Sequence, residues 1–302
     1  MAKAGLLFVG TDDGAVLFSN PNNIGRWLRI GQPFRGQVVR ALWPLPDNPL
    51  VVFAVVQGLG LQRSDDGGQS WQAVLDPGIE GVVGHHGAPN VLYAWTTDGE
   101  LYASADAGER WDRRVSDGRS AIGAAHLAIA AADARQLYLA QADGIWSSSD
   151  AGVTWAHFGE QVLNGVQALA AHPTHPGRLY AVAANALYSC DSATGRWRPD
   201  TSAPLLDGPL AILAGQQPVL LANANGEIVR GDEASASWST AALDGGWGGA
   251  ITVIAPVGYH IDTAFGGSAA GRLATSTDRG RTWQLLKQDL PPIRSVAAAR
   301  LA

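Results

Sequence analysis

One short polar turn ending in tryptophan returns along this chain at a nearly fixed interval. "RSDDGGQSW" (63–71) is echoed by "ASADAGERW" (103–111), "SSSDAGVTW" (147–155) and "TSTDRGRTW" (275–283). Looser copies, "SNPNNIGRW", "SCDSATGRW" and "GDEASASW", end at Trp27, Trp197 and Trp238. The seven indoles are 44, 40, 44, 42, 41 and 45 residues apart, so seven such units account for all 302 residues. A period of about 40–45 residues with four short strands per unit is the pattern of a propeller blade.

The strands can be read from one unit. "GVQALAAHP" (165–173) is an alternating apolar run followed by the turn "THPG". "RLYAVA" (178–183) and "ALYSC" (186–190) flank a short turn at Asn185, and "RWRP" (196–199) begins a fourth strand. Gly, Pro, Asn and Asp punctuate the chain throughout, and no segment sustains a capped helical period. Glycine supplies 37 of the 302 residues, about 12% against an average of about 7%, as a chain made of tight turns requires.

The predicted fold is all-β, a seven-bladed β-propeller of four-stranded antiparallel blades in one domain. The expected blades are 37–75, 79–115, 120–158, 164–199, 208–242 and 249–287, with the first split between 5–31 and 293–301. "LLFVG" (6–10) aligns with a second strand and "IRSVAAARLA" (293–302) with a first. The tail is therefore expected to complete the N-terminal blade, three strands plus one, removing an exposed sheet edge.

Within the turn, short polar side chains can hydrogen-bond the turn's own backbone. The glycine is expected to take positive φ, and the indole to bury against the blades. The residues assigned this structural role are Ser64, Asp66, Gly68 and Trp71; Ser104, Asp106, Gly108 and Trp111; Ser148, Asp150, Gly152 and Trp155; and Ser276, Asp278, Gly280 and Trp283. In these residues the chain resembles the bacterial neuraminidase (BNR)/Asp-box repeat superfamily. That group includes sialidases, xyloglucan-active glycoside hydrolases, sortilin-type receptors and a photosystem II assembly factor, so the resemblance implies no single activity. It also implies that the repeated turns lie on the rim opposite the active face.

Several classes are disfavoured. The net charge of −6 comes without a concentrated basic run, which argues against nucleic acid or an anionic membrane as partner. One cysteine, Cys190, excludes an internal disulfide and fits a reducing compartment. The opening "MAKAGLLFVGTDDG" is too short in apolar residues for a secretory signal, and no window approaches the ~20 apolar residues of a membrane span. The expected location is cytoplasmic unless a leader precedes this sequence. "HH" (85–86) and "HPTH" (172–175) match no common zinc pattern, and the glycine-rich stretches precede no helix. No metal and no cofactor are expected.

Catalytic readings fare little better. A sialidase, as the resemblance would have it, needs a tyrosine nucleophile and an arginine cluster. Tyr93, Tyr138, Tyr180, Tyr102 and Tyr188 recur at repeat positions and read as core, while Tyr259 falls on the repeated-turn side. The Arg-Ile-Pro signature is absent, "LRIG" (28–31) being the nearest approach. A glycosidase needs two carboxylates roughly 5–10 Å apart. Asp12, Asp13, Asp98 and Asp143 sit in short connections where Asp serves turn geometry, whereas Glu160 and Asp207 lie in longer loops.

The loops between blades share the face opposite the repeated turns. "GQPFRGQ" (31–37) presents Phe34 and Arg35, "PDTSAPLLDGP" (199–209) Leu205 and Leu206, and "ALDGGWGGA" (242–250) Trp247, which fits no repeat position. Trp247 reads either as a hot spot or sugar platform or as a residue packed on a neighbouring blade. Arg119 and Arg294 could add donors there, whereas Trp43, Trp95 and Trp146 read as core. The expected function is a non-catalytic scaffold that binds a protein through this variable face. The alternative is a carbohydrate-binding or carbohydrate-cleaving propeller using Trp247 with Glu160 or Asp207.

Overall fold

The computed structural model describes residues 4–301 except 22–25, 97, 115–125, 142, 160–162 and 233–236. Its strands form seven four-stranded antiparallel sheets. The first sheet joins β1 (Gly5–Thr11), β2 (Gly14–Asn20) and β3 (Leu28–Gly31) to the last strand, β28 (Ile293–Arg300). The second holds β4 (Val39–Pro44), β5 (Val52–Val56), β6 (Gly60–Ser64) and β7 (Gln72–Leu75). The third holds β8 (Ile79–His85), β9 (Ala88–Thr96), β10 (Leu101–Ser104) and β11 (Asp112–Arg114). Next come β12 (His126–Ile129), β13 (Leu137–Gln141), β14 (Gly144–Ser148) and β15 (Ala156–His157). The fifth blade is β16 (Val166–Ala171), β17 (Arg178–Ala183), β18 (Ala186–Asp191) and β19 (Arg196–Pro199). The sixth is β20 (Leu210–Leu213), β21 (Val219–Ala224), β22 (Glu227–Asp232) and β23 (Ser237–Ala241). The seventh is β24 (Ile251–Pro256), β25 (Ala264–Ser268), β26 (Leu273–Ser276) and β27 (Gln284–Lys287).

The first strands β28, β4, β8, β12, β16, β20 and β24 each touch the next and close a ring around an axis. β28 pairs with β1 from Gly5↔Arg300 to Thr11↔Ile293, so the tail completes the first blade. Burial follows distance from solvent. Every residue of the second strand β5 is buried, because a neighbouring blade covers each face, while β3 on the outside is exposed at three of its four positions.

Each repeat tryptophan packs toward the preceding blade. Trp71 joins the apolar cluster of Phe8 and Leu17, and Trp155 that of Tyr93 and Leu101. Trp197 and Trp283 are buried; the other five are half-buried.

The polar turn is a clip. Ser148 Oγ accepts the Gly152 amide at 2.9 Å and donates to Asp150 Oδ1 at 2.8 Å. The carboxylate also accepts the Thr154 amide at 2.9 Å and its hydroxyl at 2.6 Å. Ser64–Asp66 and Ser276–Asp278 repeat the arrangement. The Thr154 hydroxyl, then its amide, holds Asp150 down at about 2, and Ser70 likewise holds Asp66 well below the usual carboxylate range. Gly108 needs to be glycine twice over: its φ is +78°, and a Cβ there would stand 2.3 Å from the Phe53 ring of the preceding blade. The residue before each of these glycines is also left-handed, Ala107 at 60°, Ala151 at 63° and Arg279 at 63°. Its amide tethers the turn to the first-to-second strand connection, as Ala151 N donates to Arg135 O at 3.0 Å and Arg279 N to Asp262 O at 2.9 Å.

Candidate functional site

The tethers place the repeated turns on one face with the first-to-second strand connections. The opposite face therefore carries the second-to-third strand turns and the loops between blades. On it, five first strands share an irregularity that the repeat alone does not require. Val39 and Ala41 pair with consecutive residues Val56 and Val55, which leaves Arg40 as an extra residue. The same step isolates Glu80 in β8, Gln167 in β16, Thr252 in β24 and Arg294 in β28. In blade 6 the step falls on Gly208, between Asp207 and Pro209, which both bond the Asn223 backbone. In blade 4 the corresponding positions lie outside the described residues. A β-bulge re-aims the side chain at its extra residue, so these five surround the axis at one end of the ring.

The bulge residues are tied together. Arg294 makes a two-pronged bond to Asp12, at 2.6 and 2.7 Å. Arg40 pairs with Glu80 of the next blade. Thr252 donates to Ile293 O at 2.7 Å across the junction of blades 7 and 1. Gln167 is exposed, with no side-chain hydrogen bond among the described residues. The Arg294 hydrogen bond holds Asp12 below the usual carboxylate range and raises the guanidinium in return.

The expected site residues fall out unevenly. Arg35 is exposed, and its Nε donates to Gln32 Oε1 at 3.1 Å. Gly36 N donates to Asp13 Oδ1 at 2.6 Å, which pins this loop beside Asp12 and Arg294. Phe34, at φ 61°, turns its half-buried ring onto Trp71 at 5.0 Å and is a seam between blades 1 and 2 more than a free anchor. Leu205 is 71% exposed. Leu206 corrects the expectation of a second exposed leucine: it is fully buried beside Tyr180 and Leu187, and its amide bonds Asn185 O at 2.9 Å.

Trp247 takes the packed one of its two expected roles. It is 1% exposed, its ring 5.5 Å from Trp283 and against Gly266, where a Cβ would meet it at 2.5 Å. Left-handed Gly245, Gly246 and Gly248 fold the loop so that the indole enters the seam between blades 6 and 7. It is a core residue and offers no platform to a ligand. Arg119 and Glu160 lie outside the described residues.

Three of the expected carboxylates serve the turns. Asp143 Oδ1 accepts Trp146 Nε1 at 2.9 Å, Asp207 Oδ1 accepts Asn223 Nδ2 at 3.2 Å, and Asp98 accepts the Thr96 hydroxyl. A general acid needs a raised pKa; Asp12 moves the other way. Sequence reasoning named Arg294 but missed Arg40, Glu80, Gln167 and Thr252. Their signal was spacing: Val39 and Leu42, Ile79 and Val82, and Ile251 and Ile254 are buried pairs three apart, where an unbroken strand would space them by two.

Comparison with known proteins agrees at the level of fold. The BNR/Asp-box repeat family matches residues 62–73. No curated protein sequence matches the chain. Among solved structures it is similar to the GH74 xyloglucanase from Xanthomonas campestris, with a TM-score of 0.66 and 19% identity over 83% of this chain and 45% of that one. An ancestral GH74 enzyme gives 0.64 and 16% identity over 93% of this chain and 46% of that one. The chain thus spans a little under half the length of either enzyme. YCF48 bound to D1 peptide gives 0.65 and 16% identity over 87% of this chain and 93% of that one. Likeness at such low identity concerns fold alone, and the fold agrees with the repeats: the chain is a seven-bladed β-propeller carrying the BNR/Asp-box repeat.

Proposed function

We propose that the chain is a non-catalytic scaffold that binds a protein partner through the variable face. The observation that supports this most is the common bulge in five first strands, which arrays Arg40, Glu80, Gln167, Thr252 and Arg294 around the axis. Beside them stand Arg35 and the exposed Leu205. Such a surface of exposed arginine, amide and leucine suits recognition of another polypeptide. Of the carboxylates on this face, Asp12, Asp13, Glu80, Asp98, Asp143 and Asp207 are engaged by a guanidinium or by turn donors. The structural likeness to YCF48 bound to D1 peptide favours the same reading, because that chain is matched over nearly its whole length.

The test is a photo-cross-linking residue placed at Leu205 or Arg35, compared with one at Gln69 or Val153 on the repeated-turn face, in extract of the native cell. The scaffold reading expects a discrete protein adduct from the first pair and none from the second. Adducts from neither pair, together with specific retention on a glycan panel, would reverse it in favour of a carbohydrate ligand.

A further inference from the structure

Outside that face, blade 5 carries a cluster of three cations, two of which, Arg178 and Arg198, the repeat does not explain. Register places Arg178, Asp191 and Arg196 in one cross-strand row, and Tyr180, Ser189 and Arg198 in the next. Trp197 points toward blade 4, so Arg196 and Arg198, alternating with it, point toward blade 6. Arg178, Arg196 and Arg198 line one cavity of about 430 Å³ with His175, Ser189 and Asp191. An adjoining groove of about 220 Å³, lined by Arg178, Tyr180, Asp200, Asp232 and Trp238, continues between blades 5 and 6.

Two facts separate this cluster from ordinary surface charge. By register, the counterparts of Arg178 in other blades are Val51, Val91, Gln136, Val219 and Thr263, and those of Arg198 are Gln72, Asp112, Ala156, Ser239 and Gln284. None is a cation. In addition, neither Arg196 nor Arg198 has an ion-pair partner among the described residues, in a chain whose net charge is −6. Arg178 is held in place: its Nε donates to the Tyr180 hydroxyl at 2.8 Å, and its guanidinium stands 5.5 Å from that ring. Asp191, the carboxylate in the larger cavity, already accepts the Ala193 amide at 2.9 Å. In the groove, Asp200 accepts the Ser202 hydroxyl at 2.6 Å and Asp232 lies 3.9 Å from Arg230.

We infer that this rim binds a ligand bearing paired oxyanions, carboxylate or phosphate. Arg196 and Arg198 are rooted about 7 Å apart along the strand, and Arg178 about 10 Å away across two strand spacings. Their planar forks therefore meet two neighbouring oxyanion groups, each with two parallel hydrogen bonds. Ser189 adds a hydroxyl between them.

The experiment is calorimetric titration of the full chain at low salt with inorganic tripolyphosphate and, separately, a hexa-aspartate peptide. At least one probe is expected to bind with one-to-one stoichiometry and to weaken about tenfold or more in Arg196→Gln/Arg198→Gln. Arg110→Gln, at the position of Arg196 in blade 3, is expected to bind as the unaltered chain does. Which probe binds identifies the source of the oxyanions. Arginine side-chain NMR on the unaltered chain gives a second reading that is independent of any variant's folding: the resonances of Arg178, Arg196 and Arg198 should shift. Failure of both probes to bind, equal weakening in Arg110→Gln, or shifts confined to other arginines would overturn the inference.

Discussion

Blades 4 and 5 are neighbours built on one plan, yet their turns are held differently. In blade 4, Ser148 and Asp150 gather the Gly152 and Thr154 donors into a closed clip. In blade 5 the serine's place beside the second strand, opposite Leu179, is taken by Cys190. Burial pushes that thiol up to about 11, and it donates only to Asp191 O at 3.4 Å. The turn 191–195 closes instead on Asp191 itself, whose carbonyl accepts Thr194 N and Gly195 N, both at 3.0 Å. What both blades keep is the indole against the preceding blade and the tether to the strand connection, Ala151 N to Arg135 O and Ser192 N to Gly177 O. Packing and tether are thus the parts the ring needs. Where the polar clip has been replaced, the nearby surface carries Arg196 and Arg198.

Ring closure should give the largest effect in any attempt to break that comparison. Ending the chain at Pro292 removes β28 and leaves the axis-facing edge of β1 unpaired along its whole length. Size-exclusion chromatography and circular dichroism should then find aggregate and no folded monomer, whichever turns are intact. Next is Gly108→Ala, which puts a Cβ at positive φ and 2.3 Å from the Phe53 ring. It should cost about 2–4 kcal/mol in denaturant unfolding.

Acid should separate the two kinds of turn more gently. Asp150 is held down at about 2 against an ordinary 3.8. Its stabilisation is therefore complete above pH 3.8 and lost as pH falls toward 2. Unfolding followed between those limits should steepen with acid in the unaltered chain and flatten when Asp66, Asp150 and Asp278 are all changed to Asn. The smallest effect is Ala151→Gly. At φ 63° it relieves a left-handed alanine and should stabilise by about 0.5 kcal/mol. Ala193→Gly in blade 5, where φ is not positive, should destabilise by about the same amount.

The ring, its closure and the four intact turns were legible in the sequence because the Trp period and the Ser-x-Asp-x-Gly pattern are local. Burial in loops was not. Leu205 and Leu206 are adjacent, yet one is open and the other buried, and only the path of the backbone past Asn185 separates them. Trp247 fits no repeat position, so sequence left its two roles open; three left-handed glycines turn it into a seam that sequence does not display. The bulges were legible in part, through apolar pairs three apart, but their convergence on the axis is a property of the closed ring. The blade 5 arginines lie 18 and 20 residues apart in the chain, and strand register brings them together.

The comparison between clipped and unclipped turns is tested most directly by calorimetry on two single substitutions. Asp150→Asn should lower the unfolding midpoint by about 2–4 °C, because it breaks a carboxylate that accepts from Ser148 and Thr154. Asp191→Asn should move it by less than about 1 °C. Equal losses from the two, or a larger loss from Asp191→Asn, would contradict the account.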